Sequence, residues 1–224
     1  MRKTIKVLPI RFIQMTLLAF ATLVLAGITA TPTKAGNSDD ENEFKFKMVR
    51  NDALNANFPN FLPDARGRVK IESVGPVEIM DVKVEGLPPN TDFDFFVIQV
   101  PKAPFGLSWY QGDIETNQRG VGHGSFIGRF SIETFIVAPG VSNKAPIVFS
   151  NPRHPEFSDT NVNPQTQPVH QYHLGLWFNS PQDAKNAGGP DTETPFNGEH
   201  NAGVQILNTS NFPDEFGPLG HVQP

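Results

Sequence analysis

The chain of 224 residues contains no cysteine. In an exported protein that absence removes disulfide scaffolds, thiolate metal sites and cysteine nucleophiles together. Tryptophan and tyrosine are scarce, two of each against 19 phenylalanines, and no histidine precedes His123. No Gly-x-Ser-x-Gly elbow is present, so that hydrolase signature is missing. Negative charge is absent from the first part of the chain: no acidic residue precedes Asp39.

What the N-terminus does contain is a basic start followed by an apolar run. Arg2, Lys3, Lys6 and Arg11 lead into Phe12 to Thr33, which carries no charge and holds Leu17, Leu18, Phe20, Leu23, Val24, Leu25 and Ile28. Small residues follow at Ala30 and Ala35. A positive end, an apolar stretch and a small-residue processing site predict a secretory signal peptide over 1–35. Cleavage is expected after Ala35, with Ala30 as the other candidate. An uncleaved anchor would need a similar apolar length, but Pro32 and the small residues favour processing. All 23 acidic residues lie beyond the expected cut and five of the 18 basic ones before it, so processing takes the formal charge from −5 to −10. An acidic mature domain repels phosphate backbones, which argues against nucleic acid as a partner. No second apolar run of spanning length follows, so no membrane association is expected after cleavage.

Residues 36–43 are polar and read as a flexible tail, and 44–224 as one domain. Phe44, Phe46 and Met48 alternate with Lys45 and Lys47, and Val69 and Ile71 with Arg68, Lys70 and Glu72, as in strands with one buried face. Phe93 to Val100 is apolar on both sides, which fits a strand covered on both faces. Phe126 to Val137 reads as one further strand, preceded by Gly122 and Gly124, whose spacing suits a tight β-ribbon better than a phosphate loop. Residues 140–168 form a long, weakly patterned connection with a short strand at Ile147–Phe149. His170 to Asn179 and Val204 to Leu207 read as strands. Ser180 as N-cap, Pro181 in the first turn and Gly188 at the end predict a single short helix. Some eight strands with at most one short helix give an all-β fold, an antiparallel Ig-like β-sandwich with long loops, with a closed barrel as the alternative.

Several segments look familiar together: Val84 to Pro101 (VEGLPPNTDFDFFVIQVP), Pro104 to Ile114 (PFGLSWYQGDI), Gly128 to Phe135, His173 to Asn179 (HLGLWFN) and Pro195 to Gly203 (PFNGEHNAG). They resemble a group of uncharacterised exported bacterial β-sandwich proteins, over most of the chain from about Val69 to Phe212. The resemblance implies a secreted bacterial protein and carries no activity or catalytic residue across. The Gly86-Leu87-Pro88-Pro89 turn and Gly112-Asp113-Ile114-Glu115-Thr116 are also similar to secreted Ig-like modules, on architecture alone.

Without thiolates, a transition-metal site would need imidazole and carboxylate ligands. His170, His173, Glu199 and His200 form the candidate set, provided the strand begins after His170, since otherwise i and i+3 point to opposite faces. Ordinary strand-end and loop histidines explain the same pattern. His123 lies two residues from Ser125, but proximity in sequence is not triad geometry. The pairs Asp92/Asp94 and Asp113/Glu115 have strand spacing, and Asp191/Glu193 lies beside a turn. Paired carboxylates suit glycosidic acid–base work, calcium or plain solvation. Trp109 and Tyr110, beside Gly106 and Gly112, could stack on a flat ligand or pack in the core, whereas Trp177 between Leu176 and Phe178 reads as core.

The sequence therefore predicts a secreted, non-enzymatic β-sandwich acting in ligand binding or in the cell-surface matrix, without a cofactor. Its ligand site is placed near Trp109, Tyr110 and His123, its partner being a small molecule, a glycan or another surface component. A secreted hydrolase or other enzyme with a His/Glu-bound metal is the alternative, and a calcium-stabilised surface protein a third reading.

Overall fold

A computed structural model describes residues 42–132, 134–135, 169–194 and 200–223. The expected signal segment, the strand at 147–149 and Glu199 lie outside the described residues. The described chain is nearly all-β. Its elements are β1 (Glu43–Arg50), α1 (Asp52–Asn57), β2 (Arg66–Val74), β3 (Val77–Glu85), β4 (Phe93–Ile98), β5 (Ser108–Asp113), β6 (Gly122–Gly128), β7 (Thr134–Phe135), β8 (Val169–His170), β9 (His173–Phe178), α2 (Pro181–Asn186) and β10 (Gln205–Asn208). A 3₁₀ turn at Pro218–His221 follows.

Eight strands form one antiparallel sheet in the order β5-β4-β9-β10-β1-β2-β3-β6, and β7 and β8 pair separately. β1 turns the corner. Its residues Glu43 to Met48 pair with β2, while Val49 and Arg50 pair with β10. A strand that changes partner along its length lets one sheet fold over on itself. The two halves then face each other across a shared core: Met48, Val69, Ile71, Met80, Val82 and Val84 from one half, and Phe93, Phe95, Leu174, Leu176, Phe178 and Ile206 from the other. The free edges β5 and β6 also come together. Phe126 of β6 stacks on Phe95 of β4 at 5.2 Å, and Gly112 of β5 lies against the Phe126 ring. The result is an antiparallel sandwich close to closing as a barrel.

Both faces of β4 and β9 are covered, as the double-sided apolarity of Phe93 to Ile98 requires. Phe96, Ile98, Trp177 and Ala202 form a second, smaller apolar cluster outside the sheet, with Phe105 packed on it. α2 has the predicted caps: the Ser180 hydroxyl accepts from the Asp183 amide, and Pro181 occupies the first turn. α1 is a second short helix beyond the one expected. The Asn51 side chain caps it by accepting from Ala53 N–H at 2.8 Å, and Leu54 alone is buried, so its six residues leave no repeat to read. The expected strand over Phe126 to Val137 is broken. β6 ends at Gly128 and the chain turns through Phe130 to Ile132, because buried Glu78 accepts from both the Ser131 amide and its hydroxyl.

Candidate anion-binding groove

The exposed face of the β1-β2-β3-β6 half follows from the same alternation that builds its core. Phe46, Val69, Val82 and Gly124 point inward, so Lys45, Lys47, Arg68, Lys70, Asp81, Lys83, His123 and Ser125 point outward. Register then lines these up across the strands. Lys47 pairs with Arg68, Arg68 with Lys83 and Lys83 with His123, so four basic residues form one unbroken row over four strands. The neighbouring row is Lys45, Lys70, Asp81 and Ser125. Together the two rows line a groove of about 600 Å³.

Carboxylates border the groove more than they enter it. Glu43 bonds Lys45 and lies 3.6 Å from Lys70, which also reaches Glu72 at 3.3 Å and Asp81 at 3.6 Å. At the other side Glu85 binds Arg66 at 2.8 Å and draws Arg68 and Lys83 to 3.8 Å each. The hydrogen bond from Lys45 holds the Glu43 carboxyl below the usual carboxylate range, and that from Arg66 does the same for Glu85. The bond to Glu72 raises Lys70. Among the described residues Asp81 is the one carboxylate lining the groove, and it accepts from the Ser125 hydroxyl at 2.8 Å. Lys47 and His123 make no ion pair among the described residues.

Like charges directly opposite on a sheet are unfavourable. Lys47, Arg68 and Lys83 in consecutive register concentrate positive potential in a chain whose net charge is negative. All three side chains line the groove, and Arg68 and Lys83 reach toward Glu85 at its border. Chemically the groove can hold an anion.

Of the residues singled out from the sequence, His123 lines this groove, whereas Trp109 and Tyr110 do not. Both lie on edge strand β5 and are 45% exposed, so Trp109 is not a core residue. The Tyr110 hydroxyl donates to Asp113 at 2.5 Å, its ring packs edge-on to Phe96, and burial followed by that bond raises its pKa. Asp92 is also raised, by burial and then by Asp113. Asp94, its expected partner, is buried within β4. Trp177 is core, as expected.

The histidines of the proposed metal set are used differently. β9 does start after His170, at His173, but the His173 ring is fully buried with both nitrogens bonded. Nδ1 lies 2.9 Å from the Thr209 hydroxyl, and Nε2 lies 3.1 Å from the carbonyls of Pro213 and Asp214. Two carbonyl acceptors require the proton on Nε2, which leaves Nδ1 to accept from Thr209. Burial lowers this imidazole to about 4. His170 stacks on Tyr172 at 5.4 Å, and His200 is exposed. Among the described residues no three His, Asp or Glu side chains are placed to hold a metal ion. No helix among them is long and apolar enough to cross a membrane.

The chain matches no protein-family model and no curated protein.

Proposed function

We propose that the protein is exported through its N-terminal signal and acts as a non-catalytic binding domain for an acidic polysaccharide, held in the basic groove. The observation that carries this reading is the row Lys47, Arg68, Lys83 and His123, with no carboxylate among its four members. Adjacent strands are about 4.8 Å apart, so the row spans roughly 14 Å. That length suits successive charges of an extended polymer laid across the strands better than a single small anion. In a chain of negative formal charge, a predominantly basic groove focuses the field and steers a polyanion to one place. A glycan is favoured over nucleic acid by the export expected from residues 1–35.

The test is binding of polygalacturonate or heparin, with neutral dextran as control, measured by calorimetry. Saturable binding of the acidic polymers alone supports the reading. Equal binding of dextran, or binding confined to nucleic acid, overturns it. Export is tested separately by the N-terminus of the protein recovered outside a bacterial host, which is expected at Gly36, or at Thr31 for the earlier cut.

A further inference from the structure

Among the described residues lining the basic groove, Asp81 alone is negatively charged, and it stands beside the basic row. A carboxylate in that place weakens the hold on any anion, because like charges brought together repel. The fold itself has little need of it there. Lys70 already has Glu72 at 3.3 Å and Glu43 at 3.6 Å, so Asp81, also at 3.6 Å, is a third carboxylate for one ammonium. Nor does Asp81 satisfy a buried group. Its side chain is 47% exposed, and the Ser125 hydroxyl that donates to it belongs to an exposed residue.

The direction of that hydrogen bond decides what the pair presents to the groove. Asp81 of β3 and Ser125 of β6 are register partners, so their side chains lie next to each other on one face. The hydroxyl gives its one proton to Asp81 Oδ1 at 2.8 Å. Both Asp81 oxygens and the Ser125 oxygen are then acceptors. Two residues further along the same strands stand Lys83 and His123, at the end of the basic row. Arg68 lies opposite Lys83 on β2. This end of the groove therefore has cationic donors on one side and acceptors on the other, about 7 Å apart at a rise of ~3.4 Å per residue.

A polyanion such as polyphosphate carries acceptors alone and meets repulsion at Asp81 and Ser125. A uronic acid ring linked through C1 and C4 carries both kinds of group. Its carboxylate stands on one edge, and its C2 and C3 hydroxyls stand on the other. With the carboxylate at Lys83 and Arg68, the hydroxyls face Asp81 and Ser125 as donors, and a charged acceptor makes the stronger class of hydrogen bond. We infer that Asp81 and Ser125 form a hydroxyl-reading subsite, which makes the groove selective for a 1,4-linked polyuronate over polyanions without hydroxyls. The inference rests on the reading of the groove as an acidic-polysaccharide site and names the class of polysaccharide. Asp81 acts in both directions, attracting the right ligand and rejecting the wrong one, as specific sites commonly do.

The test compares the affinities of polygalacturonate and inorganic polyphosphate by calorimetry, with equal numbers of charges and one salt concentration, since screening alters both. The quantity read is the ratio of the two dissociation constants, for the parent, Asp81→Asn and Ser125→Ala. The parent is expected to favour polygalacturonate. Asp81→Asn should cut that preference about tenfold, the effect of one charge-assisted hydrogen bond, and Ser125→Ala should cut it less. A carboxylate acting only as a general repulsive charge would, on removal, strengthen both polymers alike and leave the ratio unchanged. An unchanged ratio in Asp81→Asn, or a parent that binds polyphosphate as tightly as polygalacturonate, overturns the inference and leaves the groove an anion site. Binding of neither polymer by the parent overturns it together with the reading of the groove. Thermal midpoints without ligand check that both variants fold.

Discussion

Arg68 on β2 and Lys83 on β3 stand directly opposite each other on the exposed face of the sheet, and both reach toward the same carboxylate, Glu85, at 3.8 Å. One acid shared between them, with Arg66 holding it more closely at 2.8 Å, leaves the pair short of negative charge. Lys47 extends the row on one side and His123 on the other. Such a juxtaposition of like charges costs the sheet some stability.

Lys47→Glu converts a like-charge neighbour of Arg68 into an opposite-charge one. Cross-strand pairs of this kind are worth about 0.2–1 kcal/mol. The variant is expected to be as stable as the parent or slightly more so, while binding acidic polysaccharide more weakly. Urea denaturation together with calorimetry reads both quantities. A variant that loses stability and keeps its binding would place Lys47 in a structural role.

His173 ties β9 to the segment after β10 through Thr209, Pro213 and Asp214. Its folded value of about 4 lies below the ordinary 6.5 because the charged ring cannot be hydrated in the core. Below pH 6.5 the unfolded chain takes up a proton that the folded one refuses. Stability is therefore lost as pH falls from about 6.5 toward 4, by about 3 kcal/mol in full, and is unaffected by this group above that range. Denaturation free energies measured through that window should fall in the parent and fall less steeply in His173→Gln. Parallel slopes for the two proteins would show that His173 does not carry the effect.

Gly175→Ala tests the packing around Trp177 in the smaller apolar cluster. The new methyl would sit 2.2 Å from the Trp177 ring, and overpacking of this kind costs about 1–3 kcal/mol. The expected readout is a lower urea midpoint with an unchanged slope. An unaltered midpoint would mean that the indole has room to move.

Arg50, although charged, is 7% exposed and holds the stretch after β1 in place. Its guanidinium donates to the carbonyls of Leu54, Phe58 and Phe61 and to the Asn55 side chain, and burial lowers its pKa. Lysine cannot serve these divergent acceptors with one ammonium. Arg50→Lys should cost about 1–3 kcal/mol, the penalty for buried groups left unpaired. It should also increase amide exchange in α1 and at Phe58 and Phe61. Exchange left unchanged there would count against this anchoring role.

Local signals were the legible ones. Ser180, Pro181 and Gly188 mark α2 because caps act within a few residues, and Phe93 to Ile98 shows its two covered faces directly in its composition. The basic row was not legible, although its members alternate visibly with apolar residues on every strand. It exists only through register, and β6 reaches β3 past the intervening β4 and β5. His173 misleads for a related reason: its spacing from His170 suggests shared ligation, whereas its real partner, Thr209, is 36 residues away. The break at Ser131 depends on Glu78, which in sequence reads as one more polar position on an alternating strand.

The measurement that bears most directly on the central claim is calorimetric titration of the protein with polygalacturonate, for the parent and for Arg68→Glu/Lys83→Glu. Each is run at about 0.01 M and about 1 M ionic strength, where charges are screened beyond roughly 30 Å and 3 Å respectively. The account predicts saturable binding by the parent at low salt, strong weakening at high salt, and none by the double variant at either. Binding that survives both the charge reversal and the high salt would contradict it.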